Sequence, residues 1–198
     1  MEKIINIYLL NIEKIKKNED NIISFLPKER IEKANKYIKK EDYYLSIGGS
    51  YLIEKFVGKG EYFYTEEGKP YKESKHFSLS HSHDYVALAL GESAIGLDIE
   101  KIRDFKKELI PYIANEEETK TIKTKEDFFL HWCLKESLLK CVGSGIKNSL
   151  KLIPAKVGIF EFNEGMYSSN AMIYKNYQIA LTVKYEEKIS LKVIELEI

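Results

Sequence analysis

The chain has 198 residues, of which 44% are hydrophobic and 31% charged, and its 31 Lys plus Arg are matched by 31 Asp plus Glu. This is the make-up of an ordinary soluble globular protein, long enough for one compact domain or two small ones. The balanced charge excludes a bulk attraction to nucleic acid or membrane, so an anionic ligand has to be held by a local cluster.

Residues 1–10 lack the long apolar core and small-residue cleavage site of a signal peptide. No apolar run approaches the roughly 20 residues of a membrane span. Cys133 and Cys141 stand eight apart on one predicted helix, which suits neither a disulfide nor a zinc site. A cytoplasmic location without membrane attachment is the expectation.

In chain order, residues 1–12 alternate as a strand, and 13–21 form a turn or short helix. Over 26–40, Ile31, Ala34, Tyr37 and Ile38 recur at helical spacing and are the expected buried positions. The opposite face carries Arg30, Lys33 and Lys36, which is either a solvated helix face or an anion-binding cluster. A second helix is predicted over 41–56, with Leu45, Tyr51, Leu52 and Phe56 inside and Gly48-Gly49 marking close packing or a weak point. A polar turn over 66–71 displays Lys69. Residues 77–83 then alternate and end in Ser80, His81, Ser82 and His83.

Residues 85–90 read as a buried strand, 91–93 as a turn and 94–100 as its return, a predicted hairpin. A helix, or helix plus loop, is expected over 111–124. The strongest helix spans 125–142, with Leu130, Leu134, Leu138 and Cys141 on one face and Trp132, Glu136 and Lys140 on another. Gly143-Ser144-Gly145 ends it. Residues 177–183 and 189–198 form a second predicted hairpin. Val86-Ala87-Leu88 and Ile179-Ala180-Leu181 are similar enough to suggest two duplicated α+β halves.

The most informative stretch is 94–100. Ile95, Leu97 and Ile99 fall on one side of an extended chain, and Gly96, Asp98 and Glu100 on the other. Two acids at i and i+2 repel unless a cation or basic cluster lies between them. The spacing is open to two readings, a charged solvated strand face or a divalent-metal site. Glu136 offers a third carboxylate and Lys140, one turn on, a point charge, an arrangement that a magnesium ion on a pyrophosphate can use.

Gly68-Lys69-Pro70-Tyr71, Phe77-Ser78-Leu79-Ser80-His81-Ser82, Ile95-Gly96-Leu97-Asp98-Ile99-Glu100 and Trp132-Cys133-Leu134-Lys135-Glu136-Ser137-Leu138-Leu139-Lys140, in that order, resemble the motifs of the 4′-phosphopantetheinyl transferases of the Sfp type, in the holo-carrier-protein synthase superfamily. The resemblance implies an α+β fold with a pseudo-two-fold arrangement of two similar halves, 1–94 carrying contacts to the nucleotide end of coenzyme A and 95–198 the metal and catalytic residues, with the active site at their interface. It implies Mg²⁺-dependent transfer of 4′-phosphopantetheine from coenzyme A to a serine of an apo acyl or peptidyl carrier protein, releasing adenosine 3′,5′-bisphosphate.

On that resemblance Asp98, Glu100 and Glu136 hold Mg²⁺, Mn²⁺ being an alternative. Glu136 or a metal-bound water is the base, and Lys140 stabilises the pyrophosphate. His81 contacts the 3′-phosphate, with Ser80 and Lys69 at the same nucleotide end and Arg30 and Lys33 as the basic pair of the first helix. A monomer is expected. The chain departs from the family pattern at Leu45, usually arginine, at His83, usually glycine, and at Ser144, usually lysine. The competing reading is a catalytically weak relative that binds coenzyme A or the carrier without useful turnover.

Overall fold

Apolar alternation along Lys3–Asn11 builds the first strand, β1, which sends Ile5, Ile7 and Leu9 to one side and Leu10 to the other. Asn11 closes it and caps the next element, its side-chain oxygen accepting from the Glu13 N–H at 2.8 Å. The computed structural model describes residues 2–60, 63–66, 68–72, 75–144, 149–185 and 187–198. Helices α1 (Ile12–Lys17), α2 (Glu19–Phe25), α3 (Lys28–Ala34) and α4 (Lys40–Leu52) follow, and a π-helical turn extends α4 over Ile53–Val57. Next come the two-residue strands β2 (Phe63–Tyr64) and β3 (Pro70–Tyr71), then β4 (His76–Ser82), β5 (Tyr85–Gly91) and β6 (Ile95–Lys101). The remainder is α5 (Ile110–Ile113), α6 (Glu116–Thr121), α7 (Lys125–Val142), β7 (Gly158–Phe162), β8 (Gly165–Tyr174), β9 (Tyr177–Val183) and β10 (Ile189–Glu195).

Two four-stranded sheets result, ordered β10-β1-β5-β4 and β6-β9-β8-β7, with β2–β3 a separate ribbon. Helices α1 to α4 cover the outer face of the first sheet around Ile15, Ile47, Leu52, Val86 and Leu88. Between the sheets lies a second core, where Ile7, Leu9 and Ala87 meet Ile95, Leu97, Ile179 and Leu181. A third core packs α5 to α7 beside the second sheet through Phe128, Phe129, Leu138, Phe160 and Tyr167. The α+β class implied by the sequence is the class observed. No helix among the described residues is long and apolar enough to cross a membrane.

Neither expected hairpin forms. β5 and β6 lie in different sheets, and β6 pairs with β9, Leu97 opposite Leu181. β10 leaves β9 to run parallel to β1, Ile7 opposite Val193. Period-2 patterning fixes which face of a strand is buried and carries no information about its partner. The helix expected over 26–40 stops at Ala34, and Glu41 and Asp42 open a new one with acids in its first turn. Tyr37 and Ile38, expected inside, are exposed on the turn between. Helix α7 has the predicted limits. Thr124 and Asp127 form its capping box, and Gly143 ends it at φ +80, while Gly145 lies outside the described residues.

Glycines set the two closest approaches. A Cβ on Gly48 would meet Ile15 Cδ1 at 2.4 Å, so α4 lies tight on α1. A Cβ on Gly96 would come to 1.9 Å from the Ser137 carbonyl oxygen and 2.4 Å from the Cys141 nitrogen. The backbone of α7 therefore rests directly on β6, which places Asp98 and Glu100 under Glu136 and Lys140. Gly96→Ala should lower stability by about 3 kcal/mol or more, because main chain cannot yield as a flexible side chain can; urea denaturation measures it.

The returning strand is pinned by Glu195, whose carboxylate accepts from Lys175 Nζ at 2.8 Å, from the Tyr174 hydroxyl and from the Tyr85 hydroxyl at 3.3 Å, with Lys14 Nζ at 3.5 Å. Burial pushes its pKa up, but the hydrogen bonds and charges of these partners outweigh that and hold it at about 2. The folded value is below the unfolded one, so the stabilisation is complete above the ordinary carboxylate pKa and is lost as pH falls toward 2. Acid denaturation of wild type should show a loss of about 1–2 kcal/mol in that window that Glu195→Gln lacks, the size reduced by solvent screening at half-exposed Lys175.

Candidate active site

Both β4 and β6 are edge strands, and serine hydroxyls, not a backbone ladder, join them. Ser78 Oγ accepts from the Leu97 N–H at 2.9 Å, Ser80 Oγ from Ile99 at 3.4 Å and Ser82 Oγ from Lys101 at 3.2 Å. The same hydroxyls then donate onward, Ser80 to Asp98 Oδ1 at 2.9 Å and Ser82 to Glu100 Oε2 at 2.8 Å. Each acid on β6 is thus aimed by a serine on β4.

Lys140 Nζ, from the last turn of α7, donates to Asp98 Oδ1 at 2.6 Å and to Ser80 Oγ at 3.0 Å. Burial pulls its pKa down, but the Asp98 charge and hydrogen bond, with Glu136, outweigh burial and hold it above the usual lysine value. Glu136 has the reverse balance: burial first, then the charges of Asp98 and Glu100, raise its pKa against the lowering effect of Lys140. Glu100 accepts a further bond from Arg103 at 3.3 Å.

Among the described residues no group of three acidic, histidine or cysteine side chains converges into a ready cage for an ion. Asp98, Glu100 and Glu136 feel one another's charge, yet the ammonium of Lys140 is the cation now beside Asp98. The donor set still suits an oxygen-seeking divalent ion. Asp98 Oδ2 and Glu136 Oε1 are both buried with no hydrogen-bond partner, which protein interiors rarely tolerate, and a hard cation would satisfy them.

On the other side of β4, where Leu79 and His81 face α4, lies a cavity of about 310 Å³, within the size range of small-ligand sites. Lys33 and His81 line it. Arg30 reaches its wall through Tyr64, donating to the tyrosine hydroxyl at 3.0 Å, while Lys33 Nζ sits 3.8 Å from the centre of the same ring. Ser80, the neighbour of His81, faces Asp98. The Lys69 ammonium is seated on main chain, donating to the carbonyls of Lys140 at 2.6 Å and Ile95 at 3.2 Å, where burial lowers its pKa. It ties the Gly68–Pro70 turn, whose ends line the cavity, to β6 and α7. His81 is open to solvent, yet desolvation by the surrounding protein, followed by the Lys140 charge, holds its pKa below the ordinary histidine value.

Other residues of the site carried no separate signal. The Ser78-x-Ser80-x-Ser82 spacing was visible as alternation, but its partner strand was not. Lys135 is fully buried and donates to Ile113 O at 2.6 Å, Glu118 Oε2 at 2.6 Å and Leu150 O at 3.0 Å. Glu118 also takes the N–H groups of Asn115 and Ala155, so this pair locks α7 to α6 and to the segment after it. Tyr64 and Asp42 enter the cavity wall from the β2–β3 ribbon and the first turn of α4.

An acidic cluster with buried, unpartnered oxygens is separated by a single strand from a pocket lined by Lys33, Asp42, His81 and the rings of Tyr37 and Tyr64. The family model described as the 4′-phosphopantetheinyl transferase superfamily matches residues 94–185. The 4′-phosphopantetheinyl transferase Sfp of Bacillus subtilis (strain 168) is 30% identical over 160 residues, 71% of each chain. The 4′-phosphopantetheinyl transferase gsp of Aneurinibacillus migulanus is 29% identical over 143 residues, 62% of this chain and 58% of its own. A putative 4′-phosphopantetheinyl transferase of Haemophilus influenzae is 42% identical over 95 residues, 41% of this chain and 40% of its own. The chain belongs to the 4′-phosphopantetheinyl transferase superfamily, in its Sfp-type branch. The match spans 58 to 71% of the length of the first three such relatives.

Ser80 serves the Ile99 N–H, Asp98 and Lys140 at once. Ser80→Ala should cost about 1–3 kcal/mol in urea denaturation, because three buried or half-buried groups each lose a partner. Ser80→Thr, which keeps the hydroxyl, should recover most of it.

Proposed function

We propose that this protein transfers the 4′-phosphopantetheine group of coenzyme A to a serine hydroxyl of an apo acyl or peptidyl carrier protein, acting as a monomer at the junction of segments 1–94 and 95–198. The observation that carries this reading is the adjacency, across β4, of the Asp98–Glu100–Glu136–Lys140 cluster and the Lys33–His81 cavity. Coenzyme A has matching parts: a nucleotide at one end and a pyrophosphate joining it to the pantetheine arm, whose own phosphate moves with the arm.

Asp98, Glu100 and Glu136 would hold the Mg²⁺ ion, whose chemistry there is to offset charge on the pyrophosphate oxygens. Lys140, kept protonated by Asp98, supplies a second positive charge to the same oxygens. Glu136, with its pKa raised by burial and by neighbouring acids, accepts the proton from the attacking serine. Lys33 and His81 contact the nucleotide end, Arg30 acts through Tyr64, and Lys69 and Ser80 position the Gly68–Pro70 turn and Asp98.

Intact-mass spectrometry of apo carrier proteins incubated with the protein, coenzyme A and Mg²⁺ should show the gain of one phosphopantetheine, abolished by EDTA. Asp98→Ala or Glu136→Ala should lower transfer by about a hundredfold or more while the circular dichroism spectrum is retained, since such charge stabilisation is worth several kcal/mol. Near-normal turnover in either variant would remove that acid from the site. Coenzyme A binding without transfer to any carrier would favour a binding module.

A further inference from the structure

Ser80 and Ser82 are used alike at the joint between β4 and β6, and each is completed by a third partner. A hydroxyl has one proton to give and two lone pairs to fill. Ser80 Oγ gives its proton to Asp98 and accepts from the Ile99 N–H and from Lys140 Nζ at 3.0 Å. Ser82 Oγ gives its proton to Glu100 Oε2 and accepts from the Lys101 N–H. Its remaining contact is His83 Nδ1 at 3.2 Å. With the hydroxyl proton on Glu100, that contact is a hydrogen bond only if an Nδ1–H donates it. His83 then stands to Ser82 and Glu100 as Lys140 stands to Ser80 and Asp98.

The backbone makes this placement informative. His83 and Asp84 form the two-residue loop between β4 and β5, where Ser82 pairs with Tyr85. His83 takes φ +49, and a positive φ at the first loop residue is a position that hairpins favour for glycine. A side chain held there costs stability, and such outliers persist where the surroundings fix them, often beside functional groups. The ring is exposed, so burial does not reward it. Asp84 is engaged elsewhere, its carboxylate accepting from Lys101 Nζ at 2.8 Å and from the Tyr177 hydroxyl at 2.6 Å.

We propose that His83 is a positioning residue for Glu100: its Nδ1–H completes Ser82, which fixes the hydroxyl on Glu100 Oε2 and so sets the rotation of that carboxylate for a divalent ion. This rests on the transferase reading above. Ser82 and Arg103 both donate to Oε2, at 2.8 and 3.3 Å, leaving Oε1 without a protein donor among the described residues. Groups that orient a metal ligand from behind commonly change affinity for the ion by about ten- to a hundredfold, and His83 acts one bond further out.

Three measurements on the full chain test this. In ¹H–¹⁵N spectra of the metal-free protein above the histidine pKa, assigned by difference against His83→Asn, His83 should carry its proton on Nδ1. A proton on Nε2 would overturn the donor role. His83→Gly, which suits the positive φ but has no donor, should leave Tm unchanged or raise it by up to about 4 °C. The same variant should raise about tenfold both the Kd for Mg²⁺, by titration calorimetry of the protein saturated with coenzyme A, and the Mg²⁺ concentration giving half-maximal transfer. His83→Asn tolerates the positive φ and places an amide N–H where Nδ1–H stood, so both values should stay within about threefold of wild type. Unchanged Mg²⁺ dependence in His83→Gly, a fall in its Tm, or no rescue by asparagine would overturn this inference and leave the transferase reading standing. If wild type needs no divalent ion or transfers nothing, both fall.

Discussion

Ser78, Ser80 and Ser82 make the joint on which the rest of the site depends. An edge strand that ends a sheet has a row of N–H groups with no ladder partner, and left unpaired inside the protein each would cost free energy. Here the N–H groups of Leu97, Ile99 and Lys101 on β6 are taken up by hydroxyls projecting from the edge of the other sheet. Because a hydroxyl both accepts and donates, Ser80 and Ser82 pass the interaction on to Asp98 and Glu100. Joining the two sheets and aiming the two acids are thus the work of the same atoms.

Charge is concentrated at this joint to a degree the sequence total conceals. The chain is neutral as a whole, yet three carboxylates meet near one lysine and one arginine. Burial alone would push Glu136 toward its neutral form and Lys140 toward losing its proton; the neighbours decide otherwise for the lysine and reinforce the effect for the glutamate. Two carboxylate oxygens remain buried and unpartnered. On the function proposed above, these are the oxygens that a metal ion would satisfy.

How much of this could be read from sequence depends on whether the signal was local. Helix α7 was legible to its ends because Thr124, Asp127 and Gly143 are local punctuation and its apolar faces repeat at helical spacing. The acids of 94–100 were legible because alternation separates them from Ile95, Leu97 and Ile99. Strand pairing was not, since β5 and β6 are neighbours in sequence and members of different sheets, and β10 pairs with a strand more than 180 residues before it. Strands β7 and β8 and the serine joint stayed unread for the same reason: a hydroxyl every second residue looks like a solvated face until its partner is known. The buried Lys135–Glu118 pair joins a helix motif to the acidic run 116–118, and neither segment names the other as its partner.

The parallel pairing of β10 with β1 makes the first sheet wait for residues 189–195. With β5 on one side and β10 on the other, β1 is an interior strand, and residues 189–195 must be synthesised before its second edge is covered. During translation the segment up to Glu100 emerges with an open, apolar strand edge, the kind of surface that recruits wrong partners. Long-range pairing of this sort is formed late, because loop closure comes before the contacts that reward it. The first sheet therefore cannot be completed before residues 189–195 arrive to cover β1.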